Sequence, residues 1–204
     1  MSALLLRLAG PTQAWDSRRR ASQYDSRHGS HVGPTGLMPT YSAIIGLLGA
    51  ALGRPRGADP GVLATLDVLV RVDQPGRVRG DFHTTRRQAP AGVVVQGVVE
   101  TVLDDAAFLV GIGAPTDVLD ELDAALHRPA YPLSLGKREY PVTLPLVVGR
   151  SDLPVEDAVR SWPSIAADWY REQAHTPAIF GEPEAPVYRV RWAPRGEMYA
   201  IERL

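Results

Sequence analysis

No cysteine occurs among the 204 residues. That excludes a disulfide scaffold, a thiolate zinc site and a cysteine nucleophile, and it suits a reducing compartment. Lysine is nearly absent too: of 22 cationic side chains only Lys137 is a lysine, which GC-rich coding explains as readily as a preference for guanidinium forks. No apolar run approaches the roughly 18 to 20 residues that span a bilayer, and Met1 to Gly10 is too short and too soon interrupted for a signal peptide. The chain is therefore expected to be soluble and cytoplasmic, with no membrane contact. Also missing are a nucleotide-binding glycine fingerprint, a Gly-x-Ser-x-Gly elbow, a His-Glu-x-x-His helix and any repeat of solenoid length, so no cofactor is expected.

What is present is an ordinary folded composition, 45% hydrophobic, enough to bury one core and a small appendage. The formal net charge of −1 hides a split: residues 1 to 90 hold 12 basic and 6 acidic groups and the rest hold 10 and 17, so the halves carry +6 and −7. Such a split marks a polyanion-facing side, a pairing between two parts of one molecule, or chance.

Ala3 to Leu8 is short, apolar and stopped by Gly10 and Pro11, as a buried strand would be. Trp15 to Met38 has no period of two or 3.6 and reads as a loop. Thr40 then caps a helix whose Ile44, Leu47, Leu48, Ala51 and Leu52 share a face until Gly53 ends it. Val68, Val70 and Val72 alternate with Leu69, Arg71 and Asp73 in a strand closed by Pro75 and Gly76. Residues 77 to 103 form an excursion: a basic, polar first half, a turn at Pro90 to Gly92, and a β-branched return over Val93 to Val102. Ala106 to Ile112 is a further buried strand. Thr116 caps a second helix with Val118, Leu119, Leu122, Ala125 and Leu126 on its apolar stripe, and Pro129 stops it. Leu133 to Leu135 and Leu144 to Val148 supply strand around the loop Gly136 to Pro141. This order predicts an α+β chain: a ferredoxin-like (RRM-like) βαββαβ palm over residues 1–149, with a protruding β-hairpin thumb at about 77–103. From Arg150 the chain turns acidic and proline-rich. Residues 150–204 are expected to form a small C-terminal region with a β-hairpin, Val187 to Trp192 with Met198 to Ile201.

Two basic clusters stand out, Arg18, Arg19, Arg20 and Arg27 in the long loop and Arg77, Arg79, Arg86 and Arg87 on the excursion. A solvated or salt-bridged surface is the default for each. The neighbours Trp15, Tyr24, Tyr41 and Phe82 add a second reading, bases stacked on rings while arginines hold phosphates, although Trp15 and Tyr41 also suit a core. The strands lack the paired aromatics of a standard RNA-recognition domain, so RNA contact is expected from loops and hairpin. Five histidines, at 28, 31, 83, 127 and 175, are dispersed; only His28 and His31 are close, and with no acidic pair beside them no metal site is expected. His83, in Asp81-Phe82-His83-Thr84 beside Arg86 and Arg87, is either a hydrogen-bonding brace of the hairpin or a general base or acid acting on an RNA 2′-hydroxyl. In the second case Lys137 and one of Tyr24, Tyr41 or Tyr140 would have to converge on it from separate segments.

Several segments then occur in one order. They are Leu4-Leu5-Leu6-Arg7-Leu8-Ala9-Gly10-Pro11-Thr12-Gln13-Ala14-Trp15, Pro34-Thr35-Gly36-Leu37-Met38-Pro39-Thr40-Tyr41-Ser42, and the helix Ile45 to Gly53. Val70-Arg71-Val72-Asp73, Asp81-Phe82-His83-Thr84, Leu103 to Val110 and Pro132-Leu133-Ser134-Leu135-Gly136-Lys137-Arg138 follow. Together they are similar to the CasD family, the type I-E form of CRISPR-associated protein five in the RAMP superfamily. The likeness runs over about residues 3 to 149 and thins to a hairpin-like echo at 187 to 202. Asp16 stands where the family commonly has glycine, the loop to Pro34 carries extra arginines, and Glu139 and Tyr140 follow Gly136-Lys137-Arg138 where a cysteine is usual.

The resemblance implies a non-catalytic subunit of Cascade, the RNA-guided surveillance complex of CRISPR antiviral defence. Such a subunit binds and caps the 5′ handle of the crRNA, contacts the backbone subunit and the large PAM-reading subunit, and meets target DNA only through the complex. The residues expected to carry RNA binding are Trp15, Arg18, Arg19, Arg20, Arg27, Pro39, Thr40, Tyr41, Ser42, Arg77, Arg79, His83, Thr84, Arg86, Arg87, Lys137 and Arg138. The loop before Thr40 would add amides at a helix N-terminus. The alternatives are a metal-independent endoribonuclease processing CRISPR repeat RNA, with His83 and Lys137 as its catalytic groups, and an unrelated ferredoxin-like interaction module.

Overall fold

A computed structural model describes residues 2–16, 23–25, 30–33, 35–90, 92–168, 185–191 and 200–204. The first strand, β1 (Ala3–Gln13), sends Leu4, Leu6 and Leu8 into one core and Ala3 and Leu5 into a second. Period-two side chains do this when a sheet is covered on both faces. Four short strands follow: β2 (Trp15–Asp16), β3 (Gln23–Asp25), β4 (Ser30–Gly33) and β5 (Thr35–Gly36). Helix α1 (Tyr41–Ala51) starts where Thr40 Oγ1 accepts from the Ala43 amide at 3.3 Å and ends before Gly53, whose φ of 73° is left-handed.

A 3-10 turn (Gly61–Thr65) leads to β6 (Asp67–Gln74), then β7 (Arg77–Ala89), β8 (Gly92–Gly113), α2 (Thr116–His127), β9 (Val147–Ser151), α3 (Val155–Ser161), β10 (Val187–Arg191) and β11 (Ala200–Arg203). The main sheet runs β11-β10-β6-β8-β1-β9, every neighbour antiparallel. The molecule is thus α+β, with a mostly antiparallel sheet and three helices among the described residues. No helix among them is long and apolar enough to cross a membrane.

One face of the sheet packs against α1 and α2 through Ile44, Leu48, Phe108, Val110, Leu119 and Leu122. The other is covered by α3, whose Val155 and Val159 sit on Gly111 and Gly113 where a Cβ would strike them. Arg71 holds this cover down. Its Nε and Nη2 donate to both Asp73 carboxylate oxygens at 2.6 and 2.9 Å, and its Nη1 donates to the Trp162 carbonyl at 2.7 Å. The same Asp73 accepts from the Ile165 amide at 2.7 Å.

Several sequence expectations are corrected. The supposed loop Trp15 to Met38 contains four short strands, β2 paired with β5, β3 with β4, and β4 also with Gly97 to Glu100 of β8, pieces too short to show a local period. Val93 to Val102 and Ala106 to Ile112 are one strand, because Asp105 absorbs the irregularity between them at φ 54°. Pro115, not Thr116, is the N-cap of α2, with no side-chain cap bond. The last palm strand starts at Val147, while Leu133 and Leu135 are buried in a loop with a single bridge, Ser134 to Pro141. Helix α3 was not expected at all. Trp192 and Met198 lie outside the described residues.

Removing Arg71 would leave Asp73 buried and uncompensated. Arg71→Ala is expected to destabilise the chain by about 3–5 kcal/mol in urea unfolding. Amide protection should fall first in α3; a change under about 1 kcal/mol would show that the cover holds without the clamp.

Candidate nucleic-acid interface

The thumb grows directly out of the sheet. β7 pairs with β8 from Arg77 opposite Asp104 to Ala89 opposite Gly92, a 13-residue arm that reaches about 40 Å at ~3.3 Å per residue. On the other edge of β8, β4 pairs in parallel over Gly97 to Glu100, and β3 pairs with β4. β3 and β4 therefore widen the thumb, which is a small sheet and not a bare hairpin.

Alternation along the ladder gives the thumb two unlike faces. One carries Val78, Phe82 and Arg86 with Val93 and Val95, and Phe82 is 67% exposed with its ring over Gly97. The other carries Arg77, Arg79, Asp81 and Arg87 with Glu100 and Asp104. The register thus separates Arg86 from the remaining thumb arginines.

Near the base of the arm two cations are already paired. Arg79 Nε lies 2.5 Å from Asp104 and its Nη1 3.2 Å from Asp81, and Lys137 is ion-paired with Glu100. Asp104 also accepts from Thr12 Oγ1 at 2.9 Å. The Arg79 hydrogen bond holds the Asp104 carboxyl below its usual range, against partial burial, and the Thr12 bond adds to it. Tyr140 is pushed up to about 12, first by burial, then by its bond to Glu139 and the nearby charges of Asp81 and Glu100. Arg77, Arg86, Arg87 and Arg138 are exposed and have no carboxylate partner among the described residues.

The loop before α1 is placed differently from a stacking platform. Trp15 is fully buried and its Nε1 donates to Gln13 at 2.8 Å; Tyr41 is buried and its hydroxyl donates to the Leu63 carbonyl at 3.0 Å. Both rings are core, so they offer no face to a base. Pro39 and Thr40 are buried beside them, Ser42 is half-buried within 3.3 Å of Thr40 Oγ1, and Thr84 is exposed on the thumb. Arg18, Arg19, Arg20, Arg27, His28 and His175 lie outside the described residues. For Tyr24, His31 and His83 only the backbone is described: His83 pairs with Val98, two residues along β8 from the partner of Lys137. His127 pairs with Asp123 on α2. Among the described residues no three His, Asp or Glu side chains gather as a metal site would need.

Sequence reasoning singled out the cations and missed the acids that hold them. Asp81 and Asp104 stood inside the quoted segments, and the alternation of charge at i and i+2 was the available signal.

Against known proteins, residues 3–196 match the family model described as CRISPR-associated protein (Cas5). The CRISPR system Cascade subunit CasD of Escherichia coli (strain K12) is 33% identical over 196 residues, covering 86% of this chain and 83% of that protein. Among solved structures, one described as the crystal structure of a Cas protein superposes with a TM-score of 0.65 at 28% identity, covering 99% of this chain and 94% of the other. A chain of a CRISPR RNA-guided surveillance complex superposes with 0.62 at 26% identity, covering 93% and 76%.

Thr40→Ala should cost about 1 kcal/mol through the lost cap, measured by denaturant unfolding. No loss would mean that Ser42 or water replaces the cap. The Tyr140 phenol, raised from about 10 unfolded to about 12 folded, contributes stability that is intact below pH ~10 and is lost as pH rises towards 12. Tyr140→Phe should flatten that alkaline loss and remove a late step from the ultraviolet phenolate titration; Tyr41, raised by burial and then by Asp67, remains as a second late phenol.

Proposed function

Since the chain belongs to the CRISPR-associated protein (Cas5) family, we propose that it is a Cascade subunit of CRISPR antiviral defence that binds and caps the 5′ handle of the crRNA without cutting it. In this reading β1, α1, β6, β8, α2 and β9 are a ferredoxin-like palm, residues 1–149 with the thumb form the RAMP domain, and residues 150–204 are a C-terminal region whose hairpin extends the sheet at β6. The subunit works in the cytoplasm, contacts the backbone and large subunits, and meets target DNA only through the assembled complex.

The observation that carries the RNA contact is the outer thumb: Arg86 and Arg87, exposed opposite Val95 and Val94, far along the arm from the carboxylates that engage Arg79 and Lys137. Guanidinium groups free of internal partners are what a phosphate backbone needs, because each contact releases counterions. Guide pairing reads the target, so sequence readout is not asked of this surface.

The test uses labelled repeat RNA with the full chain, alone and in the assembled complex, in EDTA. Wild type should retain the RNA intact. Arg86→Ala with Arg87→Ala should weaken retention and flatten the plot of log affinity against log salt by about 0.7 per lost contact. Unchanged affinity and slope would reduce both to surface charge. A single-site cut that disappears in His83→Ala would replace the capping reading by the endoribonuclease.

A further inference from the structure

Where β8 leaves the palm, its neighbours change. Asp104 lies opposite Thr12 of β1 on one edge and Arg77 of β7 on the other. Its Oδ1 accepts from Thr12 Oγ1 at 2.9 Å and its Oδ2 lies 2.5 Å from Arg79 Nε, so one carboxylate ties a palm strand to a thumb strand. The backbone around it is latched as well. The Gln74 side chain donates to the Asp105 carbonyl at 2.5 Å, and Gln13 donates to the Ala106 carbonyl at 2.7 Å. Gly76 has a φ of 72°, and a Cβ there would lie 2.5 Å from the Asp104 carbonyl oxygen. The chain can turn from β6 into β7 at this point only because that residue is glycine.

The Arg79–Asp104 pair is partly exposed, with side chains 47% and 23% accessible, so it adds little to stability. Its consequence lies elsewhere. A guanidinium held by two carboxylates is withheld from any phosphate that cannot displace them, and it releases no counterions on weak encounter. Of the thumb arginines, Arg79 is thus engaged, while Arg77 at the stem and Arg86 and Arg87 farther out have no carboxylate partner among the described residues.

Resting on the RNA-capping reading above, we infer that Asp104 is a positioning residue which fixes the thumb on the palm and, by occupying Arg79, withholds that guanidinium from polyanions and leaves the contact to the unpaired Arg77, Arg86 and Arg87. RNA then meets the unpaired arginines and not Arg79.

The chain has no cysteine, so one introduced pair can be spin-labelled cleanly. Glu121→Cys on α2 and Gln88→Cys near the thumb tip report the thumb position by electron–electron distance measurement. Adding Asp104→Asn, which keeps an acceptor for Thr12 but loses the charge on Arg79, should broaden the distance distribution. In the background without labels, Asp104→Asn should raise affinity for an unrelated single-stranded RNA several-fold at low salt and steepen its salt dependence by about 0.7. A handle RNA of equal length should gain less, and Arg79→Gln in the same chain should reverse the gain. An unchanged distribution with an unchanged slope overturns the inference. A broadened distribution with an unchanged slope overturns the withholding of Arg79 and leaves a mechanical brace. A wild type that binds neither RNA, while Asp104→Asn still broadens the distances, overturns the capping reading and keeps the positioning role.

Discussion

β8 must satisfy its backbone groups over 22 residues while serving two different sheets. In the palm it is paired by β6 and β1, and in the thumb by β7 and β4. Hydrogen bonds along so long a strand leave little freedom for the arm to rock, except where the partners change. That point is filled by Thr12, Gln13, Gln74, Gly76 and Asp104, each supplying a bond or a space that the interrupted ladder lacks. The direction of the thumb, and with it the placement of any ligand the thumb holds, follows from how this gap is closed.

Closure of the second sheet face acts in the same direction. An RNA-recognition domain stacks bases on an open sheet face. Here that face is occupied by α3, seated on Gly111 and Gly113 and held by the buried pair Arg71–Asp73. Replacing the pair by apolar residues could preserve stability in principle, but no apolar side chain could reach the Trp162 and Pro163 carbonyls together. The fold therefore has a covered sheet face in place of an open one, with a projecting arm beside it.

Much of this architecture was legible in the sequence. The α1 cap at Thr40, the stop at Gly53, the arm after Gly76 and the apolar stripe of α2 obey local rules, and local rules can be read from neighbours. β4 could not be read, because its pairing comes from Gly97 to Glu100, more than sixty residues away. Helix α3 was hidden by Pro154 and an acidic composition, although Pro is well suited to precede a helix whose first turn carries Glu156 and Asp157. In the candidate site, residue type exposed the arginines, whereas the state of each arginine depended on register. Arg79 and Arg77 share a face with Asp104; Arg86 does not. Parity alone did not decide it, since Arg77 and Arg87 share the Asp104 face and have no carboxylate partner among the described residues; Arg79 lies within reach of both Asp81 and Asp104.

The charge split between the halves of the chain takes on a different meaning at this scale. The basic half supplies Arg79, the acidic half supplies Asp104, and the thumb ladder brings them together. Part of the asymmetry is thus consumed inside the molecule, as an intramolecular pairing between segments distant in sequence. Arg77, Arg86 and Arg87 have no carboxylate partner among the described residues, and the last two lie farther along the arm, beyond a Debye length of about 8 Å from Asp104. On the capping reading, each cation engaged internally is one fewer to draw nucleic acid without regard to fit. On that reading, specificity for a single-stranded ligand rests on geometry along the arm, and the rigidity of its elbow then matters more to recognition than the number of arginines along it.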